Sequence, residues 1–355
     1  MGLEYQSLLR RAPVRVDEAG IRAKLSGRTV LVTGAGGSIG SELCRQIAHL
    51  NPAAGAGLVG FDISENGIFH LDRDMRDMRV AARFIPEIGN IQNGRRVREV
   101  IAKHRPSIIY HAAAHKHVPL MEDHIFEAVE NNVLGTCTLL AEAHAGGVED
   151  FVLISSDKAV NPVSNMGVTK RIAEVMAKSL PCAPARTVSV RFGNVLGSNG
   201  SVVPLFEKQI AAGGPVTVTH PEMRRYFMTI AEAAQLVLQA SALSEGREVF
   251  VLDIGEPIRI VDLAANMILH SGLRREDIQI EFTGIRPGEK LFEEHSAIGE
   301  TILPTSHEKI RIAACDDDRL PNPACHLERL RECCEARDLP GLLDEIRQIT
   351  PEYRK

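Results

Sequence analysis

Residues 29–50 read TVLVTGAGGSIGSELCRQIAHL, and this segment is the most informative about the architecture. An apolar, β-branched run ends at Thr33, which is typical of a buried strand, and apolar residues recur at helical spacing toward the end of the stretch. Between the two, Gly34, Gly37 and Gly40 form a GxxGxxG pattern. The stretch therefore predicts a strand, a glycine turn and a helix, the unit that holds a dinucleotide pyrophosphate at a helix N-terminus.

The same alternation continues through the first half of the chain. Five more apolar runs follow at helix-length intervals: GLVGFD ending at Asp62, ARFIP near Phe84, SIIYHAA from Ser107, DFVLISS from Asp150 and TVSVRF from Thr187. Apolar strands that alternate with helices predict a parallel sheet covered on both faces.

We therefore expect an α/β protein with a Rossmann-type doubly wound parallel sheet and a smaller C-terminal substrate-binding lobe. Residues 1–27 are expected to be a connector and residues 28–194 the NAD-binding domain. Residues 195–355 are expected to form a mixed α/β lobe with C-terminal helices, from which some strands and helices return to the first domain.

The composition excludes several classes of protein. Of 355 residues, 44% are hydrophobic and 25% are charged, which is typical of a globular chain. The 41 basic and 46 acidic residues give a net charge of −5, so no nucleic-acid partner is expected. No apolar run approaches the roughly 20 residues that cross a bilayer. Seven cysteines without a paired framework indicate a reducing compartment, and we expect no metal site.

An acidic residue supports the dinucleotide interpretation. Asp62 ends the second predicted strand, 22 residues beyond Gly40, where a carboxylate accepts hydrogen bonds from the adenosine ribose. Because a carboxylate repels a 2′-phosphate, NAD is favoured over NADP.

Five stretches in this order resemble one family. They are the glycine motif, HAAAHKHVP at 111–119, SSDKAVNPVSNMGVTKR at 155–171, RFGNVLGSNGSVVP at 191–204 and RPGEK at 286–290. Together they resemble the polysaccharide-biosynthesis nucleotide-sugar 4,6-dehydratases, a branch of the extended short-chain dehydrogenases/reductases. The resemblance runs from about residue 27 to the C-terminus. It implies a UDP-N-acetylglucosamine 4,6-dehydratase with tightly held NAD, which makes a UDP-linked 4-keto-6-deoxy sugar for a polysaccharide or glycan.

In such an enzyme, C4 of the sugar loses a hydride to the nicotinamide and the C5 proton becomes acidic. A base removes that proton as the C6 hydroxyl leaves, and the hydride returns to C6. The resemblance implies that Asp157 protonates the leaving hydroxyl and that Lys158 takes the C5 proton. Lys158 needs a depressed pKa for this role, and burial with a nearby Lys170 cation is the expected cause.

Met166 departs from the usual short-chain dehydrogenase motif, Tyr-x-x-x-Lys. The spacing to Lys170 is kept, but a thioether cannot take the C4 hydroxyl proton. Methionine here resembles the membrane-associated long branch of the family, which retains the configuration at C5. Three candidates for the missing base stay open: Ser156, Asp157 acting through a water, and Lys158.

Three sets of site residues are expected. The catalytic set is Ser156, Asp157, Lys158, Met166 and Lys170. The cofactor set is Gly34, Gly37, Ser38, Ile39, Gly40, Asp62, Asn90, Ile91, Ala112, Ala113, Ala114 and Lys170. The substrate set is Lys116, His117, Asn194, Ser201, Val202, Arg225, Arg286 and Glu289. Asn90 stands where many relatives carry Asp near the adenine, and at least one arginine is expected on the diphosphate.

Alternatives to this function are a nucleotide-sugar 4-epimerase, a C5-inverting dehydratase and a non-catalytic NAD-binding sensor. Met166 and the Asp157–Lys158 pair weigh against the epimerase, whereas a sensor would explain Met166 and predicts no turnover.

Residues 1–27 resemble the connector that joins membrane-spanning helices to the catalytic part in the long branch. We expect a catalytic fragment or a natural short form, with no membrane segment in this chain. Its location is expected to be cytoplasmic, at the inner face of the inner membrane if it belongs to a longer anchored protein. The expected partners are a UDP-sugar and further copies of the chain in a homo-oligomer.

Overall fold

A computed structural model describes residues 8–9, 11–51, 57–78, 80, 82–180, 182–184, 186–253, 255–314 and 324–353. The strands in chain order are β1 Val30–Thr33, β2 Gly57–Asp62, β3 Arg83–Ile88, β4 Ile108–His111, β5 Asp150–Ile154, β6 Arg186–Arg191, β7 Asn194–Val195, β8 Val216–Val218, β9 Arg224–Arg225, β10 Phe227–Met228, β11 Val249–Leu252, β12 Ile258–Arg259, β13 Ile280–Phe282, β14 Thr301–Pro304 and β15 Ile310–Ala314.

The α-helices are α1 Glu18–Leu25, α2 Ser38–Leu50, α3 Glu65–Asp77, α4 Gly94–His104, α5 Val118–Asp123, α6 Ile125–Val129, α7 Thr136–Ala145, α8 Asn165–Ser179, α9 Val202–Ala211, α10 Ile230–Leu243, α11 Ile260–His270, α12 Ala324–Ala336 and α13 Leu339–Ile349. Short 3₁₀ turns occupy Asp157–Ala159 and Arg275–Asp277, and a π-helical turn occupies Glu130–Gly135.

Nine of these strands form one sheet in the described part of the chain, in the order β14-β15-β11-β6-β5-β4-β1-β2-β3. All neighbours from β11 to β3 are parallel, whereas β15 runs antiparallel to both β11 and β14. The strand order reverses between β1 and β4, so the crossover helices leave in opposite directions there. That point opens a crevice at the carboxyl ends of the strands, where ligands of such sheets bind.

Two apolar clusters cover the two faces of the sheet. One cluster packs α1, α2, α3 and α10 against the strands, and the other packs α4, α6, α7, α8, α12 and α13. The strands at the centre are buried along their whole length because both faces are covered. This arrangement confirms the predicted doubly wound α/β fold.

A third apolar cluster forms the core of a smaller lobe. It joins α9, α11 and the parallel pair β8–β13, and Leu8 and Leu9 pack into it from the N-terminal part of the chain. The second half of the chain does not all lie in this lobe. Strands β11, β14 and β15 extend the main sheet, and α12 and α13 pack on one of its faces.

The C-terminal tail forms the two helices α12 and α13. Arg337 takes a left-handed conformation with φ of 52° and ends α12. Asp338 then caps α13 by accepting the Gly341 N–H at 3.1 Å, and Pro340 lies in the first turn. The RDLPG segment thus stops one helix and starts the next, a local signal that the apolar periodicity hides.

Within the ranges that the structure describes, no helix combines the length and the apolar surface needed to cross a bilayer.

Candidate active site

The glycine turn lies where β1 and β4 diverge. Gly34 has φ of +69°, and a Cβ there would lie 2.5–2.7 Å from backbone atoms of Ala112 and Ala113, so only glycine fits. Gly37 is the N-cap of α2 and offers no side chain to the first amides of that helix. These amides therefore remain available to an anion, as a pyrophosphate site requires.

Asp62 ends β2 beside this turn. Its Oδ2 accepts the Gly36 N–H at 2.9 Å and its Oδ1 accepts the Ser64 N–H at 2.8 Å. The carboxylate thus fixes the glycine turn relative to the start of α3. Each oxygen keeps a further lone pair with which it can accept from another donor.

A cleft of about 510 Å³ runs along the carboxyl ends of the strands, a size that suits a ligand. The structure brings sixteen of the predicted residues to its wall: Gly34, Gly37, Ser38, Ile39, Gly40, Ala112, Ala114, Lys116, His117, Ser156, Lys158, Met166, Lys170, Asn194, Ser201 and Val202. The segment that leads into the smaller lobe contacts the start of α2, because the Asn199 N–H donates to Ser38 Oγ at 3.1 Å.

Other predicted residues lie outside this wall. The backbone of Ala113 lies next to Gly34, and the buried side chain of Ile91 packs against Gly135. Asn90 accepts the Gln92 N–H at 2.9 Å through its side chain. Arg286 is exposed, and its backbone N–H donates to Glu289 Oε2 at 3.3 Å.

Arg225 is also turned away from the cleft. Its side chain is 7% exposed, and its guanidinium donates to the carbonyls of Lys290 at 2.7 Å and Leu291 at 3.2 Å. Those contacts attach the segment after RPGEK to β9. This arginine, one of those considered for the diphosphate, therefore holds the segment that carries Lys290 against β9.

Ser156, Asp157 and Lys158 form one hydrogen-bonded corner after β5. Lys158 Nζ donates to Asp157 Oδ1 at 3.0 Å and to Asn194 Oδ1 at 2.9 Å. Ser156 Oγ donates to the same Asp157 oxygen at 3.0 Å. Asp157 itself is buried, so Ser156 and Lys158 stand between this carboxyl and the cleft.

The two lysines of the site have opposite electrostatic surroundings. Burial acts to lower the pKa of Lys158, but the carboxyls of Asp157 and Glu293 outweigh it and hold the pKa above its ordinary value. This direction differs from the depressed pKa expected from the sequence. Burial instead lowers the pKa of Lys170 to about 8, with Glu174 opposing, and its Nζ donates to the Ile154 carbonyl at 2.6 Å.

Met166 lies in the first turn of α8, whose N-cap is Ser164. It is 3% exposed and packs against Val118, Met121 and Ala128. No tyrosine lines the cleft among the described residues. The phenol of Tyr353 is buried next to the first turn of α8, where its Oη donates to Asn165 Oδ1 at 2.7 Å. Burial raises the pKa of Tyr353 well above its ordinary value.

Lys116 shares the cleft with Lys158. Its Nζ donates to Ser198 Oγ at 3.3 Å, and its pKa is lowered by burial and by the Lys158 cation. His117 next to it packs against Gly200, and its pKa is lowered by burial and by Lys116.

Sequence reasoning missed two residues that shape the site. Asn132, in the π-helical turn, holds the segment after β4 by accepting the His115 N–H at 2.8 Å and donating to Thr169 Oγ1 at 3.0 Å. Glu293 is buried beside Lys158. No local pattern marks either residue, because each acts through contacts distant in sequence.

Three comparisons place these features among known proteins. A family model described as "Polysaccharide biosynthesis protein" matches residues 30–315. The capsular polysaccharide biosynthesis protein CapD of Staphylococcus aureus is 55% identical over 311 residues, 87% of this chain and 51% of CapD. A UDP-glucose 4-epimerase of Rickettsia rickettsii is 34% identical over 274 residues, 75% of this chain and 76% of that protein.

Among solved structures, DesIV of Streptomyces venezuelae, a dTDP-glucose 4,6-dehydratase with NAD bound, aligns with a TM-score of 0.65. The alignment covers 76% of this chain and 88% of DesIV at 20% identity, which shows a shared fold. The chain spans about half the length of the curated relatives with which it shares 49–55% of its residues.

Proposed function

Because this chain belongs to the polysaccharide biosynthesis protein family, we propose that it is an NAD-dependent UDP-N-acetylglucosamine 4,6-dehydratase. The observation that carries this proposal is the corner formed by Asp157 and Lys158 at the wall of the cleft that contains the glycine turn. An acid and an amine held 3.0 Å apart can remove a proton and expel a hydroxyl from neighbouring carbons.

The residues present fit NAD. The uncapped start of α2 and the Gly34 turn would receive the pyrophosphate, Asp62 the adenosine ribose, and Lys170 the nicotinamide end. NAD bound there supplies an acceptor for the C4 hydride and later the donor that returns it to C6. The small side chains of Ala112 and Ala114 leave room beside the turn.

The C4 hydroxyl proton needs an acceptor in place of the tyrosine. Ser156 lines the cleft and is hydrogen-bonded to Asp157, so it passes this proton to the carboxylate. Asp157 then returns the same proton through Ser156 to the departing C6 hydroxyl, which leaves as water. One carboxyl thus acts first as base and then as acid, and its protonation is restored after each turnover.

Lys158 acts in its free-amine form, which its raised pKa makes a minor fraction at neutral pH. The amine takes the C5 proton as the hydroxyl leaves and gives a proton back to C5 once C6 has been reduced. Because one amine on one face performs both transfers, the configuration at C5 is retained. In deuterated water, the product is expected to carry deuterium at C5 in the configuration of the starting sugar.

Replacement of Lys158 tests the proposal. Incubation with UDP-N-acetylglucosamine is expected to give a product lighter by one water, detected by mass spectrometry. Lys158→Ala is expected to abolish this loss while the cofactor stays bound, and Lys158→Arg is not expected to restore it, because a guanidinium stays protonated. Lys208→Ala, which changes an exposed lysine on α9, is the matched control.

Other outcomes identify the alternatives. A C4 epimer without water loss would indicate a 4-epimerase, the activity in the name of the 34% identical relative. A product inverted at C5 would indicate the inverting dehydratase. Cofactor binding without any turnover of the unmodified protein would indicate a sensor.

A further inference from the structure

Glu293 lies next to the hydrogen-bonded corner of Ser156, Asp157 and Lys158, in the segment that follows RPGEK. Its side chain is 3% exposed, and Oε1 lies 3.9 Å from Lys158 Nζ and 3.7 Å from Arg225 Nε. Its other oxygen, Oε2, is buried and has no hydrogen-bond partner among the described residues. Asp157 Oδ2 is buried and unpartnered in the same way. Two buried carboxyls therefore flank one ammonium group.

A carboxylate this close to an ammonium strongly favours the charged form of the amine, because buried charges are weakly screened. Glu293 also holds its own proton more tightly than usual, since burial and the nearby Asp157 raise its pKa against the effects of Lys158, Arg225 and Lys290. The protonation states of Glu293 and Lys158 thus depend on each other.

The charged groups around Lys158 come from four parts of the fold. Asp157 belongs to the 3₁₀ turn, Glu293 to the segment after RPGEK, and Arg225 to β9. Lys116, from the segment after β4, is close enough for the Lys158 cation to lower its pKa. Of these groups, Asp157 and Glu293 are the two that stabilise the Lys158 cation.

We propose that Glu293 is a positioning residue for this reaction, which sets, together with Asp157, the pH at which Lys158 changes from ammonium to amine. The proposal rests on the proposed role of Lys158 as the C5 base. Glu293 belongs to the segment that Arg225 attaches to β9 through the carbonyls of Lys290 and Leu291. The segment that carries RPGEK therefore also affects the protonation of Lys158.

The pH dependence of kcat/KM tests this role. Activity that needs the free amine rises with pH through the pKa of Lys158. Glu293→Gln removes the neighbouring charge at nearly constant shape, so the acid limb of the profile is expected to move to lower pH by about one to two units. Glu294→Gln is the matched control, because that side chain is half exposed and pairs with Lys290 at 2.7 Å. An acid limb that stays in place in Glu293→Gln would overturn the proposal.

A second variant covers a failure of Glu293→Gln to fold, which circular dichroism would show. Glu293→Asp keeps the charge but withdraws it by one methylene group, so a smaller shift in the same direction is expected. If Glu293 had a purely structural role, its replacement would change kcat/KM without moving the acid limb of the pH profile. An acid limb that stays in place in folded Glu293→Asp would then count against the proposal.

Direct titration of Lys158 separates this inference from the proposed function. Its side chain is 23% exposed, so acetic anhydride can reach it, and the pH dependence of acetylation reports the free amine without any turnover. A lower midpoint in Glu293→Gln together with an inactive unmodified protein would keep the effect of Glu293 on Lys158 and reject the dehydratase. Dehydration by the unmodified protein, together with a midpoint that does not move in Glu293→Gln, would support the dehydratase and overturn the role of Glu293.

Discussion

At the scale of single residues, Met166 decides how the site differs from a Tyr-x-x-x-Lys site. Its side chain is closely surrounded by Val118, Met121 and Ala128, and Lys170 follows at the usual spacing. In the proposed mechanism, the proton path through Ser156 and Asp157 takes the place of a phenol at this position, so the proposal requires that methionine here be compatible with turnover.

Met166→Tyr tests that conclusion. The larger ring must fit between this cluster and the cleft, which Met166 also borders, so the variant is expected to lose about 1–3 kcal/mol of unfolding free energy and to gain no turnover. Urea denaturation measures the first effect and product formation the second. Met121→Leu, a volume-conserving change in the same cluster, is the control for altered packing alone. A large gain in rate on Met166→Tyr would contradict the Ser156–Asp157 path.

Sixteen of the residues selected from the motifs border the cleft, but the motifs did not predict the electrostatics of these side chains. The sequence marks Lys158, yet the pKa of this lysine reflects burial, the adjacent Asp157 and also Glu293, which lies 135 positions along the chain. Arg225 illustrates the same difficulty, because an arginine that braces backbone carbonyls and one that binds phosphate have the same sequence signature. Pairings across such separations exist only in the folded chain.

At the scale of elements, the β1–turn–α2 unit was predictable because its determinants are local. The run that ends at Thr33 forms the strand, and Gly34 permits the turn that follows. The division of the tail into α12 and α13 is less evident in the sequence, because the apolar spacing continues across Arg337. Stop signals of one or two residues are weaker in the sequence than a periodicity of many residues.

Gly34→Ala tests the close approach of this turn to β4. Gly27 has a similar φ of +70°, but no atom lies within 4 Å of the position that a Cβ would take there. Gly27→Ala therefore isolates the cost of the left-handed backbone, about 1 kcal/mol. Gly34→Ala adds an overlap with Ala112 and is expected to cost about 2–3 kcal/mol more. Chemical denaturation measures both, and equal costs would contradict the close approach.

At the scale of the whole molecule, the cleft and the acid-sensitive carboxyl Asp150 lie at opposite ends of β5. The cleft is at the carboxyl ends of the strands, whereas Asp150 at the start of β5 is surrounded by Lys24, Arg28 and Arg186. Burial acts to raise the pKa of Asp150, but hydrogen bonds from Arg186 and Lys24 prevail and lower it from 3.8 to about 2.

A depressed carboxyl pKa stabilises the fold above the pKa of the unfolded chain, and this contribution disappears as the pH falls through the folded value. Asp150 is therefore expected to contribute about 2 kcal/mol above pH 4 that is lost between about pH 4 and pH 2. Asp150→Asn is expected to flatten the dependence of unfolding free energy on pH in that window. An unchanged slope, measured by denaturation at several pH values, would contradict this expectation.

The hydrogen bond from the Asn199 N–H to Ser38 Oγ bears on how long a dinucleotide stays bound. It joins the lobe to the first turn of α2, at the edge of the cleft, and we expect it to slow the release of a bound dinucleotide. In the proposed reaction, a dinucleotide that stays bound for longer than one catalytic cycle would return each hydride to the sugar that donated it. A mixture of C4-deuterated substrate and carbon-13 substrate is therefore expected to give no crossed product, and molecules that carry both labels would reveal exchange of the reduced dinucleotide between protein molecules.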